Sequence, residues 1–172
     1  MELSLSRVQD EITEKDLSYV LKNPWEFSTY EWKLYNIHNE KTAFETLMEQ
    51  FELSRKDGFS KIFKTPDNLP LLILMAVKTS DTKLHCYLVA SKHMKENSQA
   101  LKVTFEMRQI LEEQSRNYKG CTLVVYSQSR ETDKQMSWLR FIGLNYKPEG
   151  NVGDAKYFEY ESFKKGFGIR AN

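Results

Sequence analysis

The side chains of this chain best suited to nucleophilic or metal-dependent chemistry are three histidines and two cysteines: His38, His85, His93, Cys86 and Cys121. Their spacing contains neither His-x-x-x-His nor Cys-x-x-Cys, so it does not match a common zinc site. His85 and Cys86 are neighbours in a strand-like stretch, where adjacent side chains point to opposite faces of a sheet. We therefore expect neither a Cys–His nucleophilic pair nor a metal site, and a structural or exposed role for each histidine.

Length and composition indicate one globular domain. The chain has 172 residues, of which 40% are hydrophobic, and contains 10 Phe, 9 Tyr and 3 Trp. That is enough apolar surface to form a core without disulfides. We expect this domain over residues 1–162, followed by a basic, flexible tail over residues 163–172. The formal net charge of +1 gives no global positive field, so nucleic acid is not an expected partner.

The two cysteines and the apolar segments of the chain indicate where in the cell the protein is expected. Cys86 and Cys121 lie in apolar runs, and we expect them to be buried and reduced, as is usual in the cytosol. The N-terminal residues lack the basic and apolar regions of a secretory signal. The longest apolar run, Leu69–Val77, is too short to span a membrane. These features predict a cytoplasmic protein that is not inserted in a membrane.

Hydrophobic periods of two and of 3.6 residues divide the chain into strands and helices. They predict a strand, two helical segments, an antiparallel three-stranded meander, a long helix, a strand, a short helix and a closing hairpin. The residues are, in that order, 2–8; 13–23 and 28–57, with a break over 36–41; 59–65, 71–78 and 84–90; 98–119; 121–126; 132–143; and 145–147 with 156–161. A strand, a crossover helix and a second strand imply a parallel pair.

The long helix is predicted to be amphipathic. Its apolar stripe consists of Ala100, Val103, Met107, Ile110, Leu111 and Tyr118. Its solvated side is predicted to consist of Lys102, Glu106, Arg108 and Glu112.

A dense aromatic cluster follows the first helix: Trp25, Phe27, Tyr30, Trp32 and Tyr35. One interpretation is that these side chains cover the edge of the sheet as part of the core. The other is an exposed docking surface, since Trp and Tyr anchors dominate the binding energy of protein interfaces. The tail residues Phe163, Lys164, Lys165, Phe167 and Arg170 allow the second interpretation as well. Three basic side chains alone would bind nucleic acid only weakly and in a salt-sensitive way.

The order of elements resembles that of the GNAT (N-acetyltransferase) fold over nearly the whole chain. The sharpest local match is Met136–Leu144, where a helix ends in an apolar pair, followed by glycine and a hydrophobic residue. His85–Ser91 and Trp138–Gly143 are also similar to small phage proteins of this fold, which include an internal virion protein of short-tailed phages. The resemblance implies a single α/β (α+β) domain with a mixed central sheet of about six or seven strands and flanking helices.

The chain departs from the GNAT pattern where a cofactor would bind. Acetyltransferases of this fold carry Arg/Gln-x-x-Gly-x-Gly/Ala between a splayed strand and the long helix, because glycine lets the backbone approach the phosphates of acyl-CoA. The corresponding segment, Lys92–Ala100, lies in a stretch without glycine that extends from Tyr87 to Tyr118. Glu96 adds a negative charge to that segment, although its lysines could still hold phosphate.

A second departure concerns proton transfer. Counted back from Gly143, the position of the family's acid tyrosine is Leu139, which cannot protonate a leaving thiolate. The position of the family's common asparagine is Thr132, which here resembles a helix cap.

These departures favour a non-catalytic GNAT-fold protein of phage type that needs no cofactor. We expect it to act through protein–protein contacts, in a virion or in the host cytoplasm. Its expected interaction surface consists of Trp25, Phe27, Tyr30, Trp32, Lys164, Lys165 and Phe167.

The main alternative is an active acyl-CoA-dependent N-acyltransferase that binds acetyl-CoA. In that case Ala90, Ser91 and Lys92 line the acyl group, and His93 lies at the mouth of the splay, where substrate and cofactor meet. The residues that face phosphate are then Lys95, Asn97, Ser98 and Gln99. A third alternative is an inhibitor of a host factor.

Overall fold

The structure is a computed structural model that describes residues 8–26, 39–127 and 132–161; the side chains of Asn97 and of residues 132–135 are not described. Its helices are α1 (Glu14–Lys22), α2 (Glu40–Lys56), α3 (Asn97–Asn117) and α4 (Thr132–Phe141). Its strands are β1 (Gly58–Lys64), β2 (Pro70–Lys78), β3 (Lys83–Ala90), β4 (Thr122–Ser127), β5 (Leu144–Tyr146) and β6 (Lys156–Tyr160). The predicted strand over 2–8, except for Val8, and the predicted helix start at 28–31 lie outside the described residues.

The strands form one mixed sheet in the order β1-β2-β3-β4-β6-β5. The first three strands are the predicted antiparallel meander, and β3 pairs with β4 in parallel, as the crossover through α3 requires. The closing hairpin also forms, but its second strand, β6, lies between β4 and β5. The single domain with a mixed sheet and flanking helices confirms the predicted fold class.

A separate core lies on each face of the sheet. On one face α1 and α2 cover the meander, with Leu17 and Phe51 buried against Ile73 of β2. On the other face Met107 of α3 and Ile142, just after α4, are buried in the larger core. Strand β2, the middle strand of the meander, is buried on both faces, which explains its uninterrupted apolar sequence.

Side-chain caps fix the starts of α1 and α2. Thr13 Oγ1 accepts the Asp16 N–H at 3.1 Å, and Asp16 Oδ2 accepts the Thr13 N–H at 3.0 Å, which confirms the predicted helix start. Asn39 Oδ1 accepts the Thr42 N–H at 2.8 Å, so α2 begins inside the predicted break over 36–41. The helix cap predicted at Thr132 stays a prediction, because the side chains of residues 132–135 are not described.

The helical period predicts that Arg108 lies on the solvated side of α3, but in the structure Arg108 is buried. It is 9% exposed, and its guanidinium carbon is 4.3 Å from the centroid of the Phe141 ring. The prediction was wrong because α4 packs beside α3 and covers this position, where Trp138 Nε1 also donates to Thr104 Oγ1 at 2.9 Å. A cation stacked on an aromatic ring is retained there at lower desolvation cost than an isolated charge.

The two thiols differ in burial. Cys86 is 3% exposed and burial raises its pKa to about 12. Cys121 is only half-buried, contrary to the prediction, because it lies just before β4 begins, and its thiol donates to the Asp81 carbonyl at 3.4 Å. Both are free thiols.

Candidate functional site

The parallel pair β3–β4 opens into a cleft. The two strands are in register only from Lys83 to His85 on β3 and from Thr122 to Val124 on β4. Beyond that point β3 continues along β2 as far as Ala90, whereas β4 continues along β6 as far as Ser127. The edges of the two strands therefore separate toward their carboxyl ends, and we call the opening the strand cleft.

Backbone groups of β3 line one edge of this cleft. The Ser91 N–H donates to the Leu71 carbonyl of the neighbouring segment at 2.9 Å. Because backbone groups alternate in direction along a strand, those of Leu88 and Ala90 point toward the cleft. The Ala90 carbonyl accepts the Trp25 N–H at 3.0 Å, so the chain after α1 runs beside the end of β3. Leu88 thus offers its backbone groups to the open part of the cleft.

A 3₁₀ turn, Lys92–Lys95, joins β3 to α3. Ser91 is buried and its hydroxyl accepts the His93 N–H at 3.4 Å, while Met94 is 4% exposed in the core beneath. Lys92 and Lys95 are exposed. The sequence interpretation missed this turn; its signal is a serine that can cap it, followed three residues later by an apolar anchor.

The N-terminus of α3 points its first amides out of the helix. The first bond within the helix is from the Ala100 N–H to the Glu96 carbonyl at 3.0 Å, so the amides of residues 97–99 precede it. The Glu96 side chain makes no capping hydrogen bond and is 63% exposed. These amides and the helix dipole favour an anion, whereas the Glu96 carboxylate opposes it.

Tyr19 of α1 reaches the same corner of the molecule. Its Oη lies 2.6 Å from His93 Nε2, and the two rings are nearly parallel, with an interplanar angle of 7°. The other imidazole nitrogen, Nδ1, is 4.0 Å from Glu96 Oε1. A phenol bonded to an imidazole can pass a proton, so this is a candidate acid–base pair. Sequence reasoning singled out His93 but not Tyr19, because nothing in the local sequence indicates their contact.

His85 faces the opposite side of the sheet from Cys86, as predicted. Its ring stacks on Tyr87 with centroids 4.3 Å apart and also contacts Tyr126, 5.3 Å away. Burial lowers the pKa of His85 to about 4. The imidazole is therefore neutral near pH 7 and forms part of an aromatic cluster that joins β3 to β4. This packing is consistent with the structural role predicted for His85, which stays a prediction.

The residues predicted to bind a cofactor lie on one continuous segment: Ala90, Ser91, Lys92, Lys95, Asn97, Ser98 and Gln99. The side chains of Ala90 and Ser91 are buried, and the Ala90 carbonyl, the Ser91 N–H and the Ser91 carbonyl are bonded to Trp25, Leu71 and Met94. Lys92, Lys95 and Ser98 are exposed at the end of the cleft. The roles of these residues toward acyl and phosphate groups stay predictions.

The predicted interaction surface is described only at Trp25. This side chain is half-buried and packs against the larger core, which favours the interpretation that it covers the sheet. The other predicted residues, Phe27, Tyr30, Trp32, Lys164, Lys165 and Phe167, lie outside the described residues. Leu139 is 2% exposed within the core, so the position of the family's acid tyrosine carries a buried apolar side chain.

Two further findings concern residues 8–26, 39–127 and 132–161, which the structure describes. In those ranges, His, Cys, Asp and Glu side chains form no group of three or more that could hold a metal ion. Nor is any helix there long and apolar enough to cross a membrane.

Several solved structures are similar to most of this chain. An acetyltransferase from Agrobacterium tumefaciens str. C58 has a TM-score of 0.65 at 9% identity, covering 91% of this chain and 89% of its own. A GNAT-family acetyltransferase from Bacillus anthracis has a TM-score of 0.57 at 10% identity, covering 90% of each chain. A mutant of spermidine N-acetyltransferase SpeG from Vibrio cholerae has a TM-score of 0.54 at 9% identity, covering 89% of this chain and 94% of its own.

No protein-family model matches the chain, and no curated protein matches it in sequence. At such low identity the structural likeness concerns the fold alone. The chain therefore has the GNAT fold, which confirms the resemblance to that fold read from the sequence. The likeness to phage proteins stays a prediction.

Proposed function

We propose that this protein binds an acyl-CoA in the strand cleft and transfers the acyl group to an amine. The observation that carries the proposal is the continuity of the cleft with the N-terminus of α3, whose first amides point out of the helix. β3 separates from β4 after His85, and the connection from β3 leads directly to the free amides at the start of α3. Acetyltransferases with the same fold are the source of the chemistry proposed.

The groups that line the cleft suit the two halves of coenzyme A. The pantetheine arm contains two amides, which can hydrogen-bond to a strand edge such as the backbone of Leu88. The diphosphate carries negative charge, which the amides of residues 97–99 and the exposed ammonium groups of Lys92 and Lys95 can stabilise. Lysine ammonium groups here replace part of the close backbone contact that glycine provides, while Glu96 weakens the binding of an anion.

Acyl transfer requires one proton to leave the amine and one to reach the thiolate. The amine nitrogen forms a bond to the acyl carbon, the carbon–sulfur bond breaks, and the amide and the free thiol result. Leu139 cannot take part, because its side chain has no exchangeable proton. The Tyr19–His93 pair is the candidate for this proton transfer, since its 2.6 Å hydrogen bond lies beside the end of the cleft.

Isothermal titration calorimetry with acetyl-CoA tests the binding step. We expect saturable binding that weakens at least about tenfold when Lys92 and Lys95 are both replaced by Glu, because two favourable contacts with phosphate become repulsive. Lys41→Glu, a charge reversal of an exposed lysine at the start of α2, is the matched control and leaves the affinity unchanged. No heat of binding at millimolar acetyl-CoA would refute the proposal.

A second candidate function is that of a non-catalytic GNAT-fold protein acting through contacts with another protein. The observations that favour it are the glycine-free segment after Tyr87, the Glu96 carboxylate at the start of α3 and the buried Leu139. The partner would be a virion component or a host factor. Absence of acetyl-CoA binding, together with co-purification of the protein with phage particles, supports this candidate over the first.

A further inference from the structure

The solvent-facing side of α3 carries two large apolar side chains one turn apart. Leu101 is 58% exposed and Phe105 is 50% exposed. The opposite side of the helix is the one buried in the core, through Val103, Met107 and Leu111. Apolar side chains that are exposed next to each other, in contrast to single ones, can form a patch to which a partner binds.

Phe105 is held in place although half of its surface faces solvent. The Phe141 ring meets it edge-on, with centroids 5.9 Å apart and an interplanar angle of 77°. The guanidinium carbon of Arg108 lies 5.8 Å from the centroid of Phe105. A side chain that is already ordered loses little conformational entropy when a partner binds, so Phe105 is suited to be an anchor.

Charged and polar side chains beside this pair are arranged symmetrically along the helix. At 100° per residue, Lys102 and Glu106 lie on one flank of Leu101 and Phe105, and both are exposed. Ser98 lies about one turn before Leu101 and Gln109 about one turn after Phe105, on the same face of the helix, and both are also exposed. The positive charge is thus toward the start of the helix and the negative charge is toward its end.

We propose that this face of α3 is the interface of a symmetric homodimer in which the two copies of α3 pack antiparallel. A twofold axis between residues 103 and 104 brings Leu101 and Lys102 within one residue, about 1.5 Å along the helix, of the partner's Phe105 and Glu106 respectively. The same axis places Ser98 near the partner's Gln109. Every contact occurs twice, as in an isologous interface.

The charges of Lys102 and Glu106 favour a second copy of the chain as the partner and an antiparallel direction of the two helices. A parallel pair related by a twofold axis along the helices would place the charged flank of each copy on opposite sides of the interface, where Lys102 and the partner's Glu106 form no pair. The antiparallel arrangement converts the same charges into two attractive pairs and keeps the apolar side chains in contact. A surface complementary to itself in this way fits a second copy of the chain. The interface does not require a ligand in the strand cleft, but its outer residue Ser98 adjoins the amides of residues 97–99 that are proposed to hold the diphosphate.

Sedimentation-velocity ultracentrifugation over a concentration series tests the interface. We expect the wild-type chain to sediment as a dimer, and Leu101→Asp and Phe105→Asp to raise the dissociation constant at least about a hundredfold, because each places two charges in the apolar contact. Val152→Asp is the matched control: Val152 is 66% exposed and belongs to the turn before β6, not to α3, so its replacement is expected to leave the dimer intact. Circular dichroism confirms that each variant is folded.

A charge exchange tests the antiparallel register separately. Lys102→Glu and Glu106→Lys each make two like-charged pairs, and each raises the dissociation constant about tenfold at low salt. The double variant restores opposite charges and returns the dissociation constant close to the wild-type value. A monomeric wild-type chain, a dimer insensitive to both Asp substitutions, or a double variant as weak as the single ones overturns the proposal. A monomer that Leu101→Asp destabilises would indicate that another segment of the same chain covers the patch.

Discussion

Tyr19 and His93, which are 74 residues apart in the sequence, share a 2.6 Å hydrogen bond that ties α1 to the turn between β3 and α3. The contact fixes the orientation of the imidazole at the end of the strand cleft. It also joins the helix layer on one face of the sheet to the segment that leads to the other face. The hydrogen bond between Tyr19 and His93 can therefore stabilise the fold, and it can also serve proton transfer. The substitution Tyr19→Phe distinguishes these two roles.

Tyr19→Phe removes the phenol oxygen and keeps the ring stacked on His93. If the pair moves a proton during acyl transfer, we expect kcat to fall about tenfold to a hundredfold while KM for acetyl-CoA stays unchanged. The measurement is steady-state release of the free thiol with a diamine acceptor. Tyr160→Phe, which removes a hydroxyl bonded to Glu112 on the other face of the sheet, is the control and leaves kcat unchanged. Equal kcat values for Tyr19→Phe and the wild type would rule out the acid–base role.

His85 makes the stability of the fold depend on pH. Its pKa falls from 6.5 to about 4 on folding, because the ring is buried between Tyr87 and Tyr126. Between these values the unfolded chain binds more protons than the folded one, so the free energy of unfolding decreases as the pH falls from 6.5 to 4. The loss amounts to about 3 kcal/mol below pH 4.

Urea unfolding at pH 7.5, 5.5 and 4 measures this effect. His85→Phe keeps an aromatic ring but cannot be protonated, so its free energy of unfolding should fall less with pH than that of the wild type. The difference between the two proteins isolates His85 from the carboxylates, which titrate in both. Parallel pH profiles for wild type and His85→Phe would show that His85 is not the group responsible.

Local signals accounted for most elements of the fold. Thr13 with Asp16 predicts the start of α1, and the apolar period of α3 predicts its buried side, because both depend on residues within one or two turns of each other. The turn residues between β1, β2 and β3 leave little choice but antiparallel pairing. These features follow from steric and hydrogen-bonding rules that act over a few residues.

Contacts between segments that are distant in the sequence could not be predicted from local sequence patterns. Arg108 has the helical position of a solvated residue, and only the placement of α4 against α3 buries it. The pairing of β6 rather than β5 with β4 depends on how a hairpin returns to a sheet, which periodicity does not determine. In the candidate site the sequence indicated the segment from Ala90 to Gln99 but not the approach of Tyr19. Each contact that the sequence did not predict is made with a different helix or strand, distant in the sequence.

Gly58 is a position where the fold admits no side chain. A Cβ atom placed there would lie 1.8 Å from the Ala76 carbonyl oxygen of β2, so the two strands would have to separate. We expect Gly58→Ala to lower the free energy of unfolding by about 2 kcal/mol or more, as measured by urea unfolding. At Gly120, where φ is +86° and nothing lies within 4 Å, Ala is expected to cost only about 1 kcal/mol of backbone strain. Equal losses at the two glycines would contradict the close approach of β1 and β2.

Two threonines with opposite roles in their helices provide a matched test of the caps. Thr13 satisfies a free amide at the start of α1, so Thr13→Ala is expected to lower the free energy of unfolding by about 1 kcal/mol. Thr46 lies within α2, where its hydroxyl bonds back to the Thr42 carbonyl at 2.8 Å, and Thr46→Ala is expected to be neutral or slightly stabilising. Thermal unfolding followed by circular dichroism measures both. Because the substitution is the same, a loss at Thr46 as large as that at Thr13 would mean that the cap does not stabilise α1.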